Sequence, residues 1–229
     1  MTDGNITYWV ADDSCCDEAW EQAYLDFESP AEERSKFVAR YRQLGVDRWD
    51  KKLAVAELFC GRGNGLTTLR HLGFQNLEGV DLSPRLLREF DGDVPLYVGD
   101  CRDLHWPDNH KDVIVVQGGL HHLPTLPDDL GKVLQEIRRV LNPGGRIVLV
   151  EPWSTPFLKV AHAITDRRLV RMFYRRGDAL ARMTERERDT YENWLSRPQQ
   201  ILDLLHSHFE MEQQQIGWGK LMFIGRVAK

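Results

Sequence analysis

The stretch Leu53-Ala-Val-Ala-Glu-Leu-Phe-Cys-Gly-Arg-Gly-Asn-Gly65 decides the fold. Leu53 to Leu58 has the length and apolar content of a strand buried on both faces, as in a parallel sheet. The chain then breaks into glycines at 61, 63 and 65, and Leu66 to Leu72 reads as a helix. Strand, glycine-rich turn and helix together make a nucleotide cradle. Glycine lets the backbone approach a ligand closely, and free N–H groups at a helix start face it. Any tight strand-to-helix turn also favours glycine, so the neighbouring segments must decide.

Downstream, Asn76 to Val80 reads as a second strand ending at Asp81, after which Ser83 and Pro84 open a helix as N-cap and first residue. Pro95 to Val98 is a third strand ending at Gly99-Asp100. Asp112 to Val116 is a fourth; it ends at Gln117-Gly118-Gly119 and is followed by Leu120, His121 and His122. From Pro127 to Leu141 the apolar residues fall at 130, 133, 134, 137, 140 and 141, a helical stripe stopped by Asn142-Pro-Gly-Gly. Arg146 to Val150 is a fifth strand ending at Glu151. This alternation predicts an α/β fold, a Rossmann-like doubly wound, mostly parallel sheet. Ligands in such sheets bind outside the carboxyl ends of the strands, where every acid and glycine just named falls.

Upstream, residues 1–52 read as helical. Ser14 with Asp17 suits the start of a helix carrying Trp20, Tyr24 and Phe27 on one face. Ser29, Pro30 and Glu32 start a second, running to about Leu44 and Gly45 with acids early and Arg40 and Arg42 late, as the helix dipole favours. These helices serve either as a lid or as cover for one sheet edge. Residues 153–195 interrupt the alternation: Leu158 to Ile164, Leu169 to Phe173 and Asp178 to Trp194 look helical. Lys159, Arg167, Arg168, Arg171, Arg175, Arg176 and Arg182 make this insert basic, suiting either an anionic acceptor or a solvated face. A helix from Ser196 to about His206 follows, then an antiparallel hairpin, Phe209 to Ile216 and Leu221 to Val227, completing a seven-stranded sheet.

The chain has 229 residues and a net charge of −5, which argues against wholesale nucleic-acid binding. No apolar run approaches the ~20 residues of a membrane span, and no signal peptide is visible, so a cytoplasmic location is expected. Cys15, Cys16, Cys60 and Cys101 lack zinc-type spacing and are expected as free thiols.

In this order the motifs resemble the class I S-adenosylmethionine-dependent methyltransferases, closely over residues 53–151 and in outline at the C-terminus. The matching segments are Glu57-Leu-Phe-Cys-Gly-Arg-Gly, Gly-Val-Asp81-Leu-Ser, Val-Gly-Asp100-Cys, and Arg138-Arg-Val-Leu-Asn-Pro-Gly-Gly-Arg-Ile-Val-Leu-Val-Glu-Pro152. The resemblance implies S-adenosylmethionine as cofactor, a methyltransferase domain at 53–229 and an N-terminal helical lid or cap at 1–52. Glu57 would attract the cofactor's ammonium end and Asp81 would accept from both ribose hydroxyls. Leu82 would pack on adenine, Asp100 would accept from its amine, and Cys101 would offer a backbone N–H. The Gln117 carbonyl would lie near the methionine amine, with Gly61 and Gly63 allowing close approach. Two departures stand out: Phe59 occupies the first glycine of the usual pattern, and Glu57 replaces the commoner aspartate.

The acceptor is expected to be a small molecule, with Glu151 and Trp153 lining its pocket. His121 and His122 are candidates for a general base, since histidine titrates near neutrality. A metal held by both histidines would need a further ligand that the sequence does not identify, so no metal is expected. Three other readings compete. A nicotinamide enzyme would want G-x-G-x-x-G rather than the G-x-G-x-G found, and leaves Asp100 unexplained. A non-catalytic cofactor-binding protein would keep Asp81 and Asp100. An RNA methyltransferase would draw only on the basic insert, against the acidic balance.

Overall fold

Strand β3 (Ala54–Leu58) lies inside a nine-stranded sheet, with Val55, Ala56 and Leu58 buried as its apolar run requires. In this computed structural model, residues 2–10, 17–155, 158 and 186–228 are described. The remaining strands are β1 (Thr2–Asp3), β2 (Ile6–Tyr8), β4 (Asn76–Asp81), β5 (Leu96–Val98), β6 (Lys111–Gln117), β7 (Leu141–Pro152), β8 (Glu210–Gly217) and β9 (Lys220–Arg226). Their spatial order is β1-β2-β5-β4-β3-β6-β7-β9-β8. Pairs from β2 to β7 are parallel, whereas β1/β2, β7/β9 and β9/β8 are antiparallel. The order reverses beside β3, because β4 lies on one side of it and β6 on the other. That reversal opens the crevice in which doubly wound sheets hold ligands.

Alternate residues of the central strands feed two apolar layers. Ile114, Val116, Ile147 and Leu149 share one with Leu130, Val133, Leu134 and Ile137, the stripe of helix α5 (Asp128–Val140). Val113, Val115 and Val148 share the other with Phe37 and Tyr41 of α2 (Pro30–Gln43) and Leu66 and Leu69 of α3 (Asn64–His71). Helix α2 starts as its sequence predicts: Ser29 and Glu32 form a reciprocal capping box with proline just inside. α1 (Glu18–Phe27) is capped by Asp17, and α4 (Pro84–Arg88) by Ser83. After the insert, α6 (Arg188–Ser196) and α7 (Pro198–His208) lead into the hairpin.

The seven expected strands are present with two additions. β1 and β2 extend the sheet beyond β5, and among the described N-terminal residues helix begins at Glu18. Trp9 continues this edge, donating its N–H to the Val98 carbonyl at 2.9 Å and stacking on Tyr97 with ring centroids 4.4 Å apart. Strands of two and three residues carry no readable alternation, and a neighbouring edge holds them in place. The expected cap at Ser14, the insert helices beyond Leu158 up to residue 185 and the basic residues from Lys159 to Arg182 lie outside the described residues, while the end of the expected Asp178–Trp194 helix is present as α6. No helix among the described residues is long and apolar enough to cross a membrane.

Candidate functional site

A cavity of about 300 Å³ opens at the C-terminal ends of β3, β4 and β6, within the range of small-molecule sites. Glu57, Phe59, Gly61, Asp81, Leu82 and Gln117 line it from the sheet side, and Asp17, Trp20, Glu21 and Tyr24 from the α1 side. Glu33 and Phe37 of α2, His122 after β6, and Arg186 and Glu187 just before α6 complete most of the wall.

Asp81 organises the turn. Its carboxylate accepts the Gly61 N–H and the Ser83 N–H, each at 2.8 Å, so the end of β4 grips the glycine loop and the start of α4 together. Burial raises its pKa, and those two N–H donors oppose the rise. Gly61 and Gly63 both adopt left-handed φ, at 51° and 73°, so the loop needs glycine there. No side chain caps the start of α3 at Gly63.

Glu57 points from β3 at the start of α3, where a Cβ on Gly65 would fall 1.9 Å from its Oε1. Glycine at 65 is therefore the space in which this carboxyl sits. The side chain is buried, its Oε2 has no hydrogen-bond partner, and desolvation, reinforced by the charge of Glu33, pushes its pKa up to about 8. A buried acid that holds its proton at neutral pH gives it up when a cation arrives.

Phe59, in the place of the pattern's first glycine, takes the left-handed backbone conformation that glycine favours, with φ of 55°. Its ring packs against Gly119, where an added Cβ would meet the Phe59 Cγ at 2.2 Å. The strain costs roughly 1–2 kcal/mol, offset by ring packing. Phe59→Ala keeps the strain and loses the ring, whereas Phe59→Gly loses both. Urea denaturation is expected to find the glycine variant about 1 kcal/mol more stable than the alanine one.

The glycine loop is also clamped from above. Glu33 accepts from Arg62 Nη2 at 2.9 Å, Asn64 Nδ2 at 2.7 Å and the Tyr24 hydroxyl at 2.8 Å, while Arg62 donates to the Glu28 carbonyl at 2.6 Å. Two polar residues in a buried turn need partners, and α2 supplies them. Only the polarity of Arg62 and Asn64 hinted at this in the sequence. Ser83 donates to the buried Glu21, which ties α1 to α4 across the cavity.

Other expected site residues lie elsewhere. Asp100 is absent from the cavity wall: Arg102 donates to both of its oxygens, at 2.6 and 3.0 Å, and overcomes the effect of burial to hold its pKa below the carboxylate range. Cys101 is a buried core thiol. Gly63 stands behind the wall against Phe90. Glu151 and Trp153 do not line this cavity, contrary to expectation. Trp153 packs edge-to-face on Trp194 in the core. Glu151 is buried under the turn after β6 and accepts from Gly119 N–H and Leu120 N–H, both at 2.8 Å, and pairs with His121 Nδ1 at 2.7 Å. Parallel pairing of β6 with β7 brings its carboxylate to that turn, a contact across 30 residues.

The two histidines therefore differ. His121 is fixed by Glu151, while His122 faces the cavity with its Nδ1 3.4 Å from Glu187 Oε1. Desolvation, then repulsion from His121, holds His122 well below the usual histidine range. Glu187 is pushed up to about 7 by desolvation, which the charge of His121 opposes. Trp20 Nε1 and Glu187 Oε1 both lack hydrogen-bond partners. Glu187 lies 65 residues from His122 and belongs to no motif, so nothing local marked it.

A doubly wound sheet, a glycine cradle and an acidic pocket at the switch point define an α/β fold whose cavity suits a cationic ligand. Residues 56–149 match the family of methyltransferase domains. The chain is 27% identical over 145 residues to a ubiquinone/menaquinone biosynthesis C-methyltransferase of Geotalea daltonii, covering 54% of this chain and 60% of that one. It is 33% identical over 118 residues to a demethylmenaquinone methyltransferase of Corynebacterium kroppenstedtii, covering 51% and 49%. The chain thus spans about half the length of these curated relatives. Among solved structures, the PH0226 protein of Pyrococcus horikoshii matches with a TM-score of 0.67 at 20% identity, over 94% of this chain and all of that one. An S-adenosylmethionine-dependent methyltransferase of Mesorhizobium loti matches at 0.53 and 17% identity, over 82% and 97%. Residues 56–149 are thus similar to methyltransferase domains, and the fold is one shared with solved S-adenosylmethionine-dependent methyltransferases.

Proposed function

We propose that the chain transfers the methyl group of S-adenosylmethionine to a small-molecule acceptor enclosed between α1 and the turn carrying His122. The observation that carries this reading is the convergence of Glu57, Asp81 and Gln117 on one cavity above the glycine turn. The cosubstrate fits these residues: the unpartnered Glu57 Oε2 is a buried acceptor suited to an ammonium, and Asp81 presents a carboxylate to a diol. When bound, S-adenosylmethionine supplies a methyl group on a positively charged sulfur. The protein supplies position and charge, and orientation alone accounts for much of the acceleration in such displacements.

Within this reading, Gly61 and Gly63 shape the cradle, and Phe59, Leu82 and Leu86 provide apolar wall. Asp100 and Cys101 lie outside the wall of this cavity, with the Asp100 carboxylate held by Arg102, and no cofactor contact is assigned to them. At the other end His122 and Glu187, rather than His121, face the acceptor, and Trp20 offers it a free indole N–H. Residues 17–52 act as the lid. The quinone-related names of the relatives put small hydroxylated aromatics first among acceptors to try.

Calorimetry tests the foundation. S-adenosylmethionine and its demethylated product are expected to bind the unmodified protein. Asp81→Ala is expected to weaken both by about 30- to 150-fold, the loss of about 2–3 kcal/mol of charge-assisted hydrogen bonding. Absence of binding to the unmodified protein would remove the proposal. A labelled-methyl screen over small aromatics and RNA then separates a catalyst from a binder and one acceptor class from the other.

A further inference from the structure

His121, His122 and Glu187 converge from two separated segments. Each offers one donor atom, and the three atoms lie within 4.8 Å of one another. His121 Nε2 is 3.8 Å from Glu187 Oε2, and His122 Nδ1 is 3.4 Å from Glu187 Oε1. Two ligands bound tetrahedrally at the ~2.0–2.1 Å usual for zinc stand about 3.4 Å apart, which the two histidine–Glu187 separations approach, and all three donors lie within 4.8 Å.

We propose that His121, His122 and Glu187 bind a divalent transition-metal ion, with an open coordination position facing the cavity. Three further observations support the assignment. Glu151 holds His121 Nδ1 at 2.7 Å, which leaves Nε2 as the outward donor and reproduces the carboxylate–histidine–metal arrangement of zinc sites. Glu187 Oε1 is buried without a hydrogen bond, so one carboxylate oxygen already faces the imidazoles with nothing to satisfy it. Glu187 is also well anchored: it immediately precedes α6, whose Trp194 is fully buried and donates Nε1 to the Pro152 carbonyl at 2.8 Å.

The donor set decides the kind of metal. Two imidazole nitrogens and one carboxylate oxygen suit Zn²⁺, Co²⁺ or Fe²⁺, whereas Mg²⁺ and Ca²⁺ favour all-oxygen sites. His122 and Glu187 line the cavity, so the open position points into it. An acceptor oxygen bound there would be held beside the cofactor pocket and polarised. The inference draws on the methyltransferase reading only for the identity of that oxygen.

The competing arrangement is a metal-free cluster in which both histidines pair directly with Glu187. Metal binding distinguishes the two without any acceptor or S-adenosylmethionine. Chelator-treated protein is titrated with Zn²⁺ against a competing indicator, and with Co²⁺ by visible absorption. One equivalent is expected to bind, with Co²⁺ bands of tetrahedral or five-coordinate intensity. Glu187→Gln is nearly isosteric and should fold; it is expected to weaken Zn²⁺ by at least about 30-fold and to dim those bands. Glu151→Gln, one shell out, is expected to weaken it by about 10- to 100-fold. If Zn²⁺ and Co²⁺ bind the unmodified protein no more tightly than Glu187→Gln, the cluster is metal-free and the proposal is wrong. S-adenosylmethionine binding to the metal-free protein is read separately, so failure here leaves the methyltransferase reading intact.

Discussion

Glu57→Gln is expected to make the protein more stable above pH 8 and to flatten its pH dependence below that. The sign follows from burial. Glu57 has an ordinary value of 4.5 and a folded value of about 8, raised mainly by desolvation. Between those two pH values the folded protein holds a proton that the unfolded chain has released. The contribution of Glu57 to stability is therefore whole below pH 4.5 and is lost as pH rises through 8. Each pH unit in the window removes up to about 1.4 kcal/mol, or about 5 kcal/mol across it. Glutamine mimics the protonated acid in shape and does not titrate, so chemical denaturation from pH 4.5 to 8.5 should lose that slope. The same proton reports on the ligand. An ammonium near Glu57 would pull its pKa down, so cofactor binding at pH 7 should release protons. Calorimetry in buffers of different ionisation enthalpy should detect the release in the unmodified protein and not in the glutamine variant. A pH-independent wild-type stability would mean that Glu57 is solvated.

Glu151→Ala is expected to destabilise the protein by about 3–5 kcal/mol. Its carboxylate is the partner of two backbone N–H groups, at Gly119 and Leu120, and of His121 Nδ1, all buried with it. Removing it leaves three donors dry, and each unsatisfied donor costs about 1–3 kcal/mol before local relaxation. The same variant frees the His121 ring, so its imidazole signals in NMR should broaden or change tautomer. Glu151→Gln keeps an acceptor oxygen for the backbone pair and should lose less. A change under 1 kcal/mol in the alanine variant would show that the turn after β6 is held by something else.

Chain order and local pattern were enough for the sheet's parallel core. Val55, Ala56 and Leu58 of β3 and Val113 to Val116 of β6 form apolar runs because both faces are covered, and the α5 stripe is buried as its spacing requires. The cradle was equally legible, since glycine at a strand-to-helix turn and an acid at the end of the next strand are local signals. Glu57, Phe59, Gly61, Asp81, Leu82 and Gln117 accordingly meet at one cavity. The edge strands β1 and β2 were not legible, because their conformation is imposed by β5 and five residues carry too little pattern.

The sequence by itself determined which residues gather at the glycine cradle and where the switch point opens, because those features depend on neighbours in the chain. Only the tertiary structure decided what each acid and histidine faces. Glu151, expected in the pocket, is spent beneath the turn; Glu33 clamps the glycine loop through Arg62; Glu187 arrives from 65 residues away to join His122. The physical reason is range. Propensity and capping act over a few residues, while desolvation and charge pairing depend on what the fold brings together through space.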